Sequence, residues 1–156
     1  MPSYMRITKN GLPVINGEAT AKGHERWIEL SGVRMDAFDR LAGSIHSSAV
    51  SMSEIVVTKS EDSASTALFN QSLNGEAVTV QIDFVKPGEK SPYLTYTLQN
   101  TRIIDFARGT SSSDERITLK FKKMTSDTHD ASPDVSRHSE VIMKGSTGNP
   151  GTRCIR

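Results

Sequence analysis

A single cysteine, Cys154, stands among the 156 residues. That excludes an intramolecular disulfide, so a core must hold the fold. Beside Arg153 and Arg156, Cys154 reads as a solvated tail thiol. No stretch approaches the ~20 apolar residues of a membrane span, so membrane insertion is not expected. The opening residues, MPSYMRITKNGLPVING, hold no apolar run of signal-peptide length. Synthesis and folding in the cytoplasm are therefore expected, leaving any export to a machine that accepts folded protein. An excess of one charge is also missing: Lys and Arg total 19 against 18 for Asp and Glu. Nucleic-acid binders usually show a basic excess, so nucleic acid is not an expected partner.

Signatures of chemistry are missing as well. His24, His46, His129 and His138 are scattered, and none sits in HExxH or a Cys/His array. There is no Gly-x-Ser-x-Gly elbow and no phosphate loop. The expectation is no catalytic residue, no metal, no cofactor and no enzyme. The remaining polar features have structural readings. His24, in Lys22-Gly23-His24-Glu25, reads as a surface or turn histidine. Asp114-Glu115-Arg116 reads as a charged corner, with Arg116 as the local partner. Lys120, Lys122 and Lys123 read as a solvated face or edge protection. Trp27 reads as core or rim.

What the sequence does have is period-two alternation. In residues 77–86, Val78, Val80, Ile82 and Phe84 point one way and Thr79, Gln81 and Asp83 the other. Burying those four apolar side chains contributes about 6–12 kcal/mol before entropy is subtracted. Residues 93–99 and 101–108 alternate too, and no Gly or Pro separates them, so one long bent strand is possible. Ile117, Leu119 and Phe121 mark a strand over 115–123. Shorter strands are expected at 4–8, 27–32 and 54–58.

One helix is expected over 64–73, capped by Asp62 or Ser63 and stopped at Asn74-Gly75. Ala64, Ala67 and Leu68 share one face, while Phe69 and Leu73 lie on another. Such an element is usually covered on two sides, as a plug over a barrel end would be. Residues 33–52 show no period. Long irregular connections are often functional, and Phe38 and Leu41 stand there beside Asp36, Asp39 and Arg40. These five residues are expected to form a protruding contact loop that meets a neighbouring subunit or ring. The division expected is a domain over 1–124 and a polar tail over 125–156. Within the tail, a closing strand is possible near 139–144, and the last ten or so residues are expected to stay mobile.

Taken in order, these segments resemble the haemolysin-coregulated protein family of type VI secretion systems. Gly17-Glu18-Ala19-Thr20 and Lys22-Gly23-His24-Glu25 resemble its Gly-Glu-Ser/Ala and Lys-Gly-His run. Ile55 to Lys59 resembles its strand ending in Phe-Thr-Lys. Residues 62–75 are similar to its Asp-x-Ala-Ser-Pro-x-Leu helix, with Thr66 where proline is frequent. Asp114-Glu115-Arg116-Ile117-Thr118-Leu119-Lys120-Phe121 resembles its Glu-Asp-Arg-Leu-Thr-Glu run and the strand after it. The likeness covers roughly residues 4–124.

The resemblance implies a mainly β fold, a small two-sheet β-barrel with one flanking α-helix. It implies a structural tube subunit that forms homohexameric rings, stacks, and is exported without a signal peptide. Its partners would be itself, other secretion components and effector proteins held in the lumen; no cofactor is implied. Two alternatives remain. One is a carrier with a C-terminal effector extension, although ~30 polar residues are too few for a separate core. The other is a small-ligand-binding β-barrel.

Overall fold

The computed structural model describes residues 2–35, 53–109, 112–129, 136–142 and 152–155. Alternating sequence produces strands almost throughout. They are β1 (Ser3–Lys9), β2 (Leu12–Ile15), β3 (Ile28–Leu30), β4 (Gly32–Met35) and β5 (Ser53–Ser60). Helix α1 (Ser65–Asn74) follows, then β6 (Val78–Val85), β7 (Pro92–Arg108) and β8 (Asp114–Phe121). The chain continues with β9 (Lys123–His129), β10 (Ser136–Ile142) and β11 (Thr152–Ile155). One helix stands beside eleven strands among the described residues, which matches the mainly β expectation.

All pairings are antiparallel. One sheet runs β11-β10-β9-β7-β6-β1-β2, with β3 added to β1. The second sheet is β4-β5-β8, joined to the first through β7. Strand β7 belongs to both. Its first half pairs with β6 and β9, and its second half pairs with β8. Asn100 takes the left-handed conformation (φ 53) where the strand passes between sheets, and asparagine tolerates that region better than most residues. The long bent strand expected over 93–108 is therefore present.

Among the described residues, the sheet is not closed by a continuous ladder: β3 pairs only with β1, and β4 only with β5. Ser31 lies between them, and its N–H donates to Thr58 O at 2.7 Å. Inside, Met5, Ile7, Ile28, Ile55, Val57, Val80, Ile82, Leu98, Ile117 and Leu119 are fully buried. Leu68 of α1 is buried with them. The helix thus covers the core with one face, as its periodicity requires.

Four elements depart from the sequence reading. Asn10 (φ 54) and Gly11 (φ 80) form a tight turn, and β2 folds back on β1. β4 occupies the start of the segment read as irregular. β9 crosses the boundary drawn at residue 124 and pairs with β7. Residues 152–155, within the last ten or so expected to stay mobile, form β11 on β10.

Candidate functional site

Two buried polar clusters fix the elements that carry the surface. The first lies under the loop between β2 and β3. Gly17 N–H donates to Arg26 O (2.7 Å) and Ala19 N–H to Trp27 O (3.0 Å), so the loop closes into a strap. A Cβ at Gly17 would lie 2.3 Å from Trp27 O, so only glycine permits this approach. The strap places His24 over the sheet. His24 Nε2 bonds Asp83 Oδ2 at 2.8 Å, with both side chains buried. Asp83 Oδ1 also accepts from Thr95 Oγ1 (2.9 Å) and Gln81 Nε2 (3.1 Å). The His24 ring stacks on Tyr4 and meets the edge of Trp27, each at 4.7 Å. Burial, and then the nearby charge of Glu29, raise the Tyr4 phenol above its usual range. His24 is therefore not a surface histidine: it pins the strap to β6. Trp27 is buried in a satellite cluster with Tyr4, Ala19 and Val85.

The second cluster anchors the start of α1. Lys59 is fully buried on β5. Its Nζ lies 2.9 Å from Glu115 Oε1 and 2.8 Å from Asp62 Oδ1. It also donates to Ser65 Oγ at 3.3 Å, and Ser65 Oγ donates to Glu115 Oε1 at 2.8 Å. Arg108 Nη2 donates to Glu115 Oε2 at 3.0 Å. Burial pushes the Glu115 carboxyl up; the bonds from Lys59, Ser65 and Arg108, with the Lys59 charge, outweigh it and hold the group below the carboxylate range. The Asp114-Glu115-Arg116 corner is thus not a local pair. Glu115 points inward to Lys59, fifty-six residues away in sequence.

The helix cap also differs from expectation. The N-cap is Ala64, which makes no side-chain cap bond. Asp62 Oδ1 instead accepts the Ala64 N–H (2.9 Å), and Glu18 Oε2 accepts the Ser63 N–H (2.5 Å). These bonds from Ser63 hold the Glu18 carboxyl below its usual range. The expected stop is present: Gly75 is left-handed at φ 68.

Chemically, Ser65 beside Lys59 has the atoms of a nucleophile and a base. Both are sealed from solvent, and the hydroxyl proton is directed to Glu115. No cluster of three His, Cys, Asp or Glu suited to a metal occurs among the described residues.

What reaches the surface is shape and apolar area. Phe69 is 47% exposed and Leu73 69%; they lie four residues apart on α1, with Phe69 edge-on to Phe106 at 5.7 Å. Leu12 and Val14 are exposed on β2. An open cleft of about 430 Å³ is lined in part by Glu18, Glu29, Glu61 and Asp62. The expected contact residues Asp36, Phe38, Asp39, Arg40 and Leu41 lie outside the described residues. No sequence signal separated the second face of α1 from an ordinary buried face; only the packing shows it uncovered.

The described residues form a mainly β fold with one flanking helix, and its two buried polar clusters tie the strap to β6 and the start of α1 to β5 and β8. The family described as "Type VI secretion system effector, Hcp" matches residues 4–127, and the chain belongs to it. That family consists of type VI secretion tube proteins exported through the system. The fold is similar to Hcp1 of E. coli EAEC 042, at TM-score 0.72 and 16% identity over 92% of this chain and 98% of that one. It is similar to a type VI secretion system effector of Yersinia pestis, at TM-score 0.69 and 22% identity over 90% and 98%. It is similar to Hcp1 of Salmonella typhimurium, at TM-score 0.71 and 18% identity over 94% and 98%. Sequence comparison with curated proteins finds no match. Among the described residues, no helix is long and apolar enough to cross a membrane.

Proposed function

We propose that this chain is a structural subunit of the type VI secretion inner tube. Six copies close a ring by heterologous contacts, rings stack, and the lumen carries effector proteins. The protein acts by assembly and not by catalysis. The observation that carries this reading is the outer face of α1. Its sequence, STALFNQSLN, has no charged residue, yet Phe69 and Leu73 are open to solvent. Interface centres are depleted in charge and enriched in aromatics, so this face suits burial against another subunit. The pairing of β9 with β7, and of β10 with β9, supports a C-terminal segment that belongs to the wall, instead of a separate effector.

Light scattering at tens of micromolar tests the reading. A mass near six times 17.1 kDa is expected, and a monomer would overturn it. The contact loop is part of the proposal: Phe38→Ser with Leu41→Ser should weaken rings or their stacking. Intact rings and stacks in that variant would remove the loop from the interface.

A further inference from the structure

The outer face of the second sheet holds two like charges side by side. Arg102 on β7 is directly opposite Lys120 on β8. Their neighbours Ile103 and Leu119 point into the core, so Arg102 and Lys120 share the outward face. Like charges directly opposite in a sheet are destabilising. Edge protection does not account for Lys120, because β8 lies between β5 and β7. Neither side chain has an ion-pair partner among the described residues. Glu54, opposite Lys120 on β5, does not close to ion-pair distance.

The complementary charge lies at the other end of β5. Ser60, the last residue of that strand, lines the acidic cleft, and no Lys or Arg among the described residues lines it. Asp62 is committed to Lys59. Glu29 has no ion-pair partner among the described residues, and Glu61 meets Arg108 only at 3.5 Å, with both groups about half exposed. Glu54 and Ser60 stand at the two ends of β5, and a strand of that length spans roughly 20–25 Å. One copy cannot join the two patches, but successive copies can.

We infer that Arg102 and Lys120 form a docking site for the Glu29 and Glu61 carboxylates of a second copy of this chain, linking copies head to tail. A contact between two different patches repeats from copy to copy and suits a closed ring or a stack. The inference rests on the self-assembly reading above and specifies which surfaces meet. Desolvated charge pairs of this kind set register and orientation more than bulk affinity.

A charge-swap experiment on the full chain tests it. One variant carries Arg102→Glu with Lys120→Glu, and the other carries Glu29→Lys with Glu61→Lys. Each alone opposes like charges across the contact, so the assembly constant should fall about tenfold or more. An equimolar mixture restores opposite charges at every contact, because the copies can alternate, and assembly should return. Variants that assemble like the parent overturn the inference, as does a mixture that stays dissociated. A parent chain that is monomeric at all concentrations instead removes the self-assembly reading itself. Should a reversed variant lose its cooperative melt, Arg102→Gln with Lys120→Gln and a salt titration of the unmodified chain replace it. Assembly indifferent both to that neutralisation and to salt would also overturn the inference.

Discussion

Lys59 is fully buried, and its Nζ lies within ion-pair distance of two carboxylates, Glu115 and Asp62. Removing one member of a buried pair leaves the other uncompensated, at about 3–5 kcal/mol. Lys59→Met should therefore destabilise the fold by up to about that amount, since Glu115 then keeps only Ser65 and the half-exposed Arg108 as partners, and chemical denaturation measures it. Lys59→Met combined with Glu115→Leu should recover much of the loss, since apolar replacement of a whole buried pair is often tolerated. The same group sets a pH dependence. Glu115 is depressed in the folded chain below its ordinary 4.5, so its stabilisation is complete above about that value. It is lost as pH falls toward the depressed folded value. Thermal melts between pH 7 and pH 3 should show this loss in the parent and a smaller one in Glu115→Gln. An equal acid loss in both would mean that other carboxylates dominate.

At the scale of elements, the edge left by the C-terminal hairpin is the sharpest test. β9 pairs with β7 and β10 with β9. Ending the chain after Met124 removes most of β9 and all of β10, and leaves β7 with an unpaired row of N–H and C=O groups. Lower thermal stability and concentration-dependent aggregation are expected. Ending it after Gly145 keeps β9 and β10 and removes β11, and should leave stability close to that of the parent. Equal stability of the two truncations would show that the hairpin contributes nothing. These elements also show where sequence reading stops. Alternation over 78–85 and 92–108 was legible because buried positions repeat every second residue. β9 was not, because Lys123, Thr125 and Asp127 alternate with Met124, Ser126 and Thr128 without an apolar face. β2 was missed although Asn10-Gly11 is a strong hairpin turn, since Leu12, Pro13 and Val14 give no alternation. His24 and Glu115 read as surface groups, because a polar residue looks exposed until its distant partner is known. The contact residues 36–41, within the irregular segment 33–52, were proposed from that irregularity and from Phe38 and Leu41 standing among charges, and no described contact bears on them.

For the whole molecule, the decisive property is that folding alone leaves apolar surface uncovered. Leu73 is largely open and Phe69 about half open, its covered edge against Phe106, so the pair contributes modestly to the fold of one chain. Phe69→Ser with Leu73→Ser should change subunit stability by no more than about 1 kcal/mol. The same double variant should shift the mass distribution toward smaller species if α1 is an interface element. Melting temperature and light scattering on one sample separate the effects. A variant that melts like the parent and assembles like it would remove α1 from the contact.

The separation of the buried partners also bears on the chain as it is being made. His24 waits for Asp83, fifty-nine residues later, and Lys59 waits for Glu115, fifty-six later. At 5–20 residues per second, each interval lasts roughly 3–12 seconds. Throughout that time a lysine bound for the interior has no carboxylate from β8 to meet, and the strap has nothing on β6 to hold. Only when residue 115 has left the ribosome can both anchors form together. The nascent chain is therefore expected to gain protease resistance in a step that waits for residue 115 to emerge, instead of strand by strand.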